Sequence, residues 1–315
     1  MDRFPDKVWV ISLKHAAEAA GLGKMGLHRN LIHPKFGNFV LIGAVVTNAE
    51  LARESAPISD NPCVKCNLCV AACPVGAIQV DGHFDFSACY THNYREFMGG
   101  FTDWAETVVQ SRNLLDYRSR VTDAESVSLW QSLSFGAQYK SAYCMAVCPA
   151  GEDVVPSFKL ARHEHVRDVV QPLREKRETL YVLHNSDAAL AVQKKAEKIA
   201  KYVGNTLRPT SIANFLSGLP VLFQPGRAKG VTARYHFSFR GGASDTLATV
   251  DIRDQRVTVF EGHVGKADVR IVAHGATWLR VLRKEASLVF ALLFGRIRVR
   301  GRFGLVRDFA RCFPE

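Results

Sequence analysis

Four cysteines packed into a short run constrain this chain more than any other feature of its sequence. They are spaced C-x2-C-x2-C-x3-C and are followed by proline: Cys63, Cys66, Cys69 and Cys73. Three thiolates two residues apart can curl around one iron–sulfur cubane, whereas the fourth points away and can bind a second cluster. The second cluster needs more cysteines downstream, and three are present: Cys89, Cys144 and Cys148. The spacing therefore predicts iron–sulfur clusters.

Zinc and disulfide bonds are the rival interpretations of these cysteines. Zinc sites use two separated C-x2-C pairs rather than four packed cysteines closed by proline. Disulfide frameworks are typical of small secreted chains, and the start of this 315-residue sequence lacks the features of a signal peptide. Thiolate ligands persist in a reducing compartment, so we expect a cytoplasmic protein. Cys312 stands apart and is expected to be a buried structural residue.

Composition indicates a globular chain with one strongly basic part. A length of 315 residues predicts two domains or three small ones, and 47% hydrophobic with 23% charged residues is ordinary for globular proteins. The longest apolar run, residues 288–294, is too short to span a bilayer. Residues 205–315 carry 18 Lys/Arg and 8 Asp/Glu, out of a net charge of +11 for the chain. This predicts an anionic membrane surface or an acidic partner, with a solvated basic face as the alternative. Because no nucleic-acid motif accompanies the charge, we expect no nucleic-acid partner.

The segment before the cysteines predicts a helix followed by a strand. Residues 12–20 favour a helix that Ser12 caps and Gly21 ends. Gly21, Gly23 and Gly26 match G-x-G-x-x-G, but a dinucleotide fingerprint follows a strand, and here it follows a helix. Residues 39–47 are continuous and β-branched, which predicts a buried strand.

The middle of the chain gives weaker signals. Residues 97–140 are expected to form a long loop whose aromatic side chains pack in the core or screen the clusters from water. Residues 187–203 predict one amphipathic helix that begins at Asp187 and ends before Gly204.

The last part of the chain has the clearest periodicity. Apolar residues alternate with polar ones in five stretches, near residues 231–239, 248–252, 257–259, 267–273 and 297–299. A helical run at 276–294 lies between the last two stretches, and residues 303–313 predict a closing amphipathic helix. This pattern predicts one antiparallel sheet covered by helices on one face, an α+β arrangement.

Two family resemblances follow from these stretches. The run AGLGKMGLHRNLIHPKFGNF at residues 20–39, followed by a strand and the cysteines, resembles epoxyqueuosine reductase and the related reductive dehalogenases. The resemblance covers roughly residues 10–155. In that family the segment closes a cobalamin-binding domain and leads into a two-cluster ferredoxin module. The first half of such a domain would lie before Met1, and Val8–Ile11 stand where the family carries an acidic residue.

The same resemblance implies a ligand for each iron position but one. It gives the first cluster four ligands: Cys63, Cys66, Cys69 and Cys148. It gives the second cluster three: Cys73, Cys89 and Cys144. The remaining family ligand lies three residues before Cys144, where this chain has Ser141. A serine ligand, another residue such as His92, and a three-iron cluster are the open alternatives.

The second resemblance covers roughly residues 208–315. The strand order, with ADVRI at 267–271 and GRIRVRG at 295–301, resembles the sterol carrier protein type-2 domain. It implies an apolar tunnel between the sheet and the helices for a lipid or fatty acyl chain. The alternative is a closed core without a cavity.

Together these features predict an α+β chain in four parts. The parts are a reductase-like segment at 1–55, a two-cluster 4Fe-4S module at 56–155, a helical connector at 156–205 and a sterol carrier protein-like domain at 206–315. The preferred function is electron transfer between a redox partner protein and a basic lipid-binding domain. The alternatives are a cobalamin-dependent reductase of a hydrophobic substrate and a lipid-binding module with structural clusters. If the protein is an enzyme, we expect an oxidoreductase.

Overall fold

The computed structural model describes residues 12–50, 52–93, 95, 98–135, 142–242 and 245–314. The helices in these ranges are α1 (Leu13–Ala19), α2 (Leu68–Ala72), α3 (Phe86–Asn93), α4 (Met98–Gln110), α5 (Leu114–Arg120), α6 (Asp123–Phe135), α7 (Tyr143–Ala146), α8 (Val155–Leu160), α9 (Arg162–His165), α10 (Gln171–Glu175), α11 (Asp187–Gln193), α12 (Ile212–Leu222), α13 (Gly275–Leu282), α14 (Leu288–Leu293) and α15 (Phe303–Arg311). A π-helical turn, Val166–Val170, joins α9 to α10. The strands are β1 (Lys24–Met25), β2 (Leu31–Ile32), β3 (Glu178–Leu183), β4 (Lys198–Val203), β5 (Ala233–Arg240), β6 (Thr246–Arg253), β7 (Arg256–Glu261), β8 (Val269–His274) and β9 (Ile297–Gly301).

The chain divides into two compact units. The first, called here the cysteine unit, comprises Met1–Phe84, Gln138–Glu178 and Ala196–Ile199. The second, the sheet unit, comprises Asp85–Ala137, Thr179–Lys195 and Ala200–Glu315. No helix in the described ranges is long and apolar enough to cross a membrane.

The glycine-rich segment of the cysteine unit folds as a helix followed by a small hairpin. Helix α1 ends at Gly21, whose φ of +73° is the left-handed conformation that glycine adopts at low cost. Strands β1 and β2 then pair antiparallel. The predicted helix and its glycine stop are confirmed, and the helix-before-glycine order that excludes a dinucleotide fingerprint is observed. The predicted cap is wrong, because the Ser12 hydroxyl bonds His15 Nδ1 at 2.8 Å and caps no backbone N–H.

The predicted buried strand at residues 39–47 is wrong. The backbone there is irregular, and Leu41, Val45 and Val46 are each at least 90% exposed. A continuous β-branched run favours extended backbone, but a strand needs a hydrogen-bonding partner. None of the strands in the described ranges pairs with this run.

A small apolar core supports the cysteine run. Helix α2, which carries Cys69, packs against α7, α10 and the π-helical turn. The buried side chains between these elements are Leu68, Ala72, Val147, Phe158 and Val170. This core fixes the cysteine run to the chain segment that contains Cys148.

Two predictions for the middle of the chain are wrong, one of a loop and one of a helix. Residues 98–135 form α4, α5 and α6 rather than a long loop. Helix α6 has a capping box, in which Thr122 and Glu125 exchange hydrogen bonds between side chain and backbone. The helix predicted over residues 187–203 ends at Gln193, and residues 198–203 form β4, which pairs with β3. Ser186, not Asp187, is the N-cap, and its hydroxyl accepts the Ala189 N–H at 3.1 Å.

The five predicted strands of the last part form one sheet in the order β7-β6-β5-β8-β9. Asp254 and Gln255, both with positive φ, form the two-residue turn between β6 and β7. The prediction of a wholly antiparallel sheet is wrong, since β5 and β8 pair parallel, with Tyr235 opposite Val269. The connection from β7 to β8 carries the chain to the other side of β5, which local periodicity cannot reveal.

One face of this sheet is apolar and covered by helices. Tyr235, Phe237, Val250 and Ile252 are fully buried, together with side chains from α12 and α14. The predicted run at 276–294 is two helices, α13 and α14, separated by residues 283–287. Cys312 is buried in this core, as predicted. The sheet with its helical layer confirms the α+β fold class.

Candidate metal centre and apolar domain

The loop that carries Cys63 and Cys66 turns tightly enough to bring its thiols to one side. Lys65 and Asn67 both adopt the left-handed conformation, with φ of 48° and 61°. The Cys63 N–H donates to Asn61 Oδ1 at 2.9 Å, and Asn61 Nδ2 donates to the Met25 carbonyl at 3.1 Å. Helix α2 begins directly after Asn67. Two left-handed residues are costly outside glycine, which is typical of backbone held around a bound group.

Four of the predicted ligands line one pocket in the cysteine unit: Cys63, Cys66, Cys69 and Cys148. The remaining wall includes Leu27, His28 and Ala150. The pocket therefore joins the cysteine run to a cysteine about eighty residues further along the chain. The cysteine run supplies three of the thiols that line the pocket, and Cys148 supplies the fourth.

A close backbone approach places Cys148 at this pocket. Gly37 has a φ of +67°, and a side chain there would lie 2.0 Å from the Ala150 carbonyl oxygen. The Glu152 N–H donates to the Pro34 carbonyl at 3.0 Å in the same contact. Only glycine at residue 37 allows the glycine-rich segment to pack this tightly beside Cys148.

N–H groups donate to several of the cysteine sulfurs. The Ala77 N–H donates to Cys73 Sγ at 3.2 Å, and Asn30 Nδ2 lies 3.9 Å from Cys144 Sγ. The Ala150 N–H and the Asn38 side chain donate to Cys148. Such donors stabilise a thiolate over a thiol, which is the state that binds iron.

The surroundings of two of these thiols, Cys69 and Cys148, favour the protonated form. Burial, with smaller contributions from Cys144, Cys66, Cys148 and Cys63, raises the pKa of Cys69 to about 12. Burial also raises the pKa of Cys148. A thiolate set this close needs positive charge at its centre, so iron binding would release protons.

No three His, Cys, Asp or Glu side chains of the described residues converge on a point that could hold a single metal ion. A four-iron cubane differs from a single ion because each thiolate binds a different iron at a different corner. Four cysteines lining one pocket fit a cubane better than they fit one zinc ion.

A buried histidine supplies an independent sign of a bound group in this pocket. His28 is 4% exposed, and its Nδ1 accepts the Asn30 N–H at 3.1 Å. Burial, with a further contribution from Lys14, lowers the pKa of His28 to about 4, so the ring is neutral at pH 7. The proton of the neutral ring then lies on Nε2, which has no hydrogen-bond partner among the described residues. An orphaned N–H beside four cysteines fits the sulfides of an iron–sulfur cluster.

The other predicted ligands are distributed over both units. Cys73 and Cys144 belong to the cysteine unit, whereas Cys89 and His92 lie on α3 in the sheet unit. Nδ1 of His92 accepts the Tyr181 N–H at 3.4 Å, and the two rings stack 6.4 Å apart. Ser141 lies outside the described residues.

Sequence reasoning missed the polar side chains that surround the thiols. His28, Asn30 and Asn38 lie within the stretch that carries the reductase resemblance. The available signal was three polar residues in a compact segment close to glycines. The direction in which their side chains point depends on the β1–β2 hairpin and on the close backbone contact of Gly37 with Ala150.

The sheet unit holds a second candidate site, an aromatic cluster between the sheet and its helices. Trp278 of α13 contacts three phenylalanine rings at centroid distances of 5.5 to 5.7 Å: Phe215, Phe237 and Phe239. The indole N–H of Trp278 is buried without a hydrogen-bond partner in the described part of the chain. Buried indole N–H groups are usually paired, so this donor is available to a polar group of a ligand.

Two protein families match parts of this chain. Residues 56–79 match the 4Fe-4S binding domain family, which spans the cysteine run. Residues 223–314 match the SCP-2 sterol transfer family, which spans the five-stranded sheet and α13 to α15.

The curated relatives of this chain include several epoxyqueuosine reductases. That of Listeria monocytogenes is 37% identical over 156 residues, which is 47% of this chain and 34% of that protein. That of Synechococcus sp. is 38% identical over 84 residues, covering 27% of this chain and 23% of that protein. That of Cellulophaga algicola is 33% identical over 108 residues, covering 32% of each. The chain thus spans about a quarter to a third of the length of these relatives.

Solved structures with weak similarity include several sterol carrier proteins. The palmitated SCP2L2 of Aedes aegypti is 19% identical, covers 32% of this chain and 92% of its own, and gives a TM-score of 0.28. Apo Sterol Carrier Protein 2 of Yarrowia lipolytica is 14% identical, covers 28% and 75%, and gives 0.25. The assignment of this domain rests on the family match and on the strand order of the sheet. The chain therefore contains a 4Fe-4S binding domain related to part of the epoxyqueuosine reductases and an SCP-2 domain, which confirms both resemblances.

Proposed function

We propose that this protein transfers electrons through two iron–sulfur clusters to a domain that binds a hydrophobic ligand. The observation that carries the proposal is the pocket in which four cysteines meet the unpaired N–H of His28. Electron transfer needs no catalytic side chain at the cluster, only thiolates, a surrounding shell that sets the potential and a path to a partner. A redox partner protein would supply the electrons.

The first cluster in this proposal is bound by Cys63, Cys66, Cys69 and Cys148. The second is bound by Cys73, Cys89 and Cys144, with Ser141, His92 or an open position of a three-iron cluster completing it. When bound, the clusters would supply one-electron chemistry. The protein would bind them, exclude water with the core around Leu68, and direct N–H groups at the sulfurs.

One contact within the sheet unit supports coupling between the second cluster and the apolar domain. Helix α3, which carries Cys89 and His92, packs against α12 of the SCP-2 layer. Gln224 Nε2 donates to Ser87 Oγ at 3.2 Å, and both residues are fully buried. A cysteine on α3 is therefore rigidly connected to the helix that covers the aromatic cluster.

The ligand of the SCP-2 domain is proposed to be a lipid or another hydrophobic molecule held near Trp278. The resemblance supports this, since the matched family is a sterol transfer family. The domain's 18 Lys/Arg against 8 Asp/Glu support an anionic membrane surface as a further partner. In this proposal the chain keeps four parts, with boundaries at residues 55, 155 and 205.

A cobalamin-dependent reductase is the second candidate function. It is favoured by the identity to epoxyqueuosine reductases over 84 to 156 residues. That function would need a corrinoid at the glycine-rich segment and a substrate at the aromatic cluster. A lipid-binding module whose clusters are only structural is the third, and it leaves the Ser87–Gln224 connection without a role.

Anaerobic purification followed by metal analysis and native mass spectrometry tests these functions together. We expect about six to eight irons per chain with matching sulfide, since two cubanes hold four each. A broad visible band should bleach with dithionite, and a hydrophobic ligand should co-purify. Stoichiometric cobalt would establish the reductase instead. Stoichiometric zinc without sulfide would contradict all three candidate functions, since each of them requires iron–sulfur clusters.

Replacing His28 with leucine is expected to lower the reduction potential of the first cluster. The change removes an N–H donor to the cluster sulfides, and such donors stabilise the reduced, more negative state. A hydrogen bond of about 1 kcal/mol corresponds to roughly 40 mV for one electron. A redox titration followed by electron paramagnetic resonance measures the shift. His163→Leu, at an exposed position of the same unit, is the matched control and should leave the potential unchanged. An equal potential in both variants, with full iron content, would exclude His28 as a donor.

A further inference from the structure

Helix α14 presents an apolar face to solvent. Val289, Phe290, Leu293 and Phe294 are 63%, 61%, 74% and 74% exposed. Their spacing at i, i+1, i+4 and i+5 places them on one side of a helix, whereas Ala291 faces the core and is buried. The rings of Phe290 and Phe294 stack with centroids 6.3 Å apart. A contiguous exposed patch of this kind marks an interaction site.

The helix is held rigidly in this exposed position. The Ser287 hydroxyl caps its first turn by accepting the Phe290 N–H at 3.5 Å. Gly295, with a φ of +65°, ends it and turns the chain into β9. Helix α14 also packs against β9. The apolar face therefore belongs to an ordered element of the SCP-2 domain.

Positive charge flanks the apolar face on both sides. Between residues 280 and 300 the chain has six Lys/Arg and one acidic residue. Lys284 and Arg296 are exposed just before and just after the helix. Arg298 Nε donates to the Gly295 carbonyl at 3.3 Å, which places its guanidinium beside the end of α14.

We propose that α14 inserts its apolar face into the interface of an anionic bilayer, while Lys284, Arg296 and Arg298 contact the lipid headgroups. Apolar side chains ringed by cations match the acyl boundary and the charged surface of such a membrane. A second copy of this chain fits less well, because it would bring two sets of like charges together. The inference deepens the proposed membrane partner and does not depend on the clusters.

Vesicle sedimentation of the full-length protein, prepared anaerobically, tests this surface. The probes are phosphatidylcholine vesicles with and without phosphatidylserine. We expect the wild type to bind only the anionic vesicles. The affinity of Phe290→Asp for these vesicles should fall by at least about tenfold, since a phenylalanine side chain no longer enters the interface. Phe303→Asp is the matched control and should bind like the wild type. Phe303 is 76% exposed and lies beyond β9, whose five residues span about 17 Å.

The charged flank is tested separately by the double variant Arg296→Gln, Arg298→Gln. It should weaken binding at low salt and leave less salt dependence than in the wild type. Circular dichroism and iron content check that all variants remain folded.

The outcomes separate this inference from the proposed function. Equal binding of wild type and Phe290→Asp would overturn the role of α14 and leave the membrane partner standing. A wild type that binds neither vesicle would overturn both, whatever its iron content. A wild-type dimer in sedimentation velocity that Phe290→Asp dissociates, without vesicle binding, would assign the face to a second copy.

Discussion

Cys148→Ala is expected to remove about half of the iron and to abolish the signal of one cluster. Cys148 lines the same pocket as Cys63, Cys66 and Cys69, so its loss leaves the first cubane with three thiolates. Cys69 is buried and the other three are half-buried, and no further cysteine of the described residues lines the pocket to replace the fourth ligand. Iron and sulfide analysis with electron paramagnetic resonance of the dithionite-reduced protein measures the loss.

Cys312→Ala provides the control for this experiment. Cys312 is fully buried, lies in the sheet unit and is absent from the proposed ligands. It should keep all of the iron, although it removes the same thiol group from a site that is more deeply buried than Cys148. Full iron content in Cys148→Ala would remove Cys148 from the ligand set and leave the pocket as a coincidence of packing.

Glu178→Gln is expected to destabilise the cysteine unit strongly. The Lys198 side chain is only 2% exposed, and its Nζ donates to Glu178 Oε1 at 2.6 Å. It also donates to the carbonyls of Leu173 and Lys176 at 3.1 and 2.7 Å. Removing the carboxylate leaves a buried ammonium without a counter-charge, which typically costs about 3 kcal/mol or more. In a chain of this size that loss corresponds to a Tm lower by roughly 6–12 °C.

Thermal unfolding at a fixed scan rate, followed by circular dichroism, measures this change. Asp168→Asn removes the carboxylate of an exposed ion pair in the same unit and should barely move the Tm. The double variant Glu178→Leu, Lys198→Met should recover much of the loss, because it leaves no buried charge. If Glu178→Gln and the double variant have the same Tm, an unpaired buried charge is not the cause of the lost stability.

The same carboxylate gives the stability a pH dependence with a definite sign. Burial tends to raise the pKa of Glu178, but hydrogen bonds from Lys198 and Tyr143 outweigh it, and the pKa lies below the usual range. A depressed pKa means that the stabilisation is present above the unfolded value of about 4.3 and is lost as the pH falls through the folded value. Below about pH 4 the wild type and Glu178→Gln should therefore approach each other in Tm.

The sequence predicts the apolar sheet well because alternation has a direct physical cause. Phe237 and Val250 lie in the core and alternate with polar residues, so period two marks the strands, although His236 and Thr249 on the other face are buried as well. The parallel pairing of β5 with β8 cannot be predicted from either strand alone, because the same alternation of apolar and polar residues suits a parallel and an antiparallel partner. The failure at residues 39–47 has the same origin, because strand propensity does not supply a partner strand.

The residues of the candidate metal centre also divide into those that the sequence predicts and those that it does not. The four pocket cysteines are close in sequence or implied by the resemblance, so a reader of the sequence can name them. His28 cannot be recognised in the same way, because its importance depends on Nδ1 being occupied by the Asn30 N–H. The helices at 98–135 were missed although Thr122 and Glu125 have the spacing of a capping box.

The strand order of the sheet also sets the sequence of events by which that domain folds. Strands β5, β6 and β7 are joined by short turns, so this meander can form from local contacts. Strand β8 must close a longer loop before it can pair with β5, which makes that step slower. Until then β5 presents an edge of unpaired backbone N–H and C=O groups, the kind of edge that recruits strands from other chains. The risk of aggregation during synthesis therefore lasts until β8 has paired with β5.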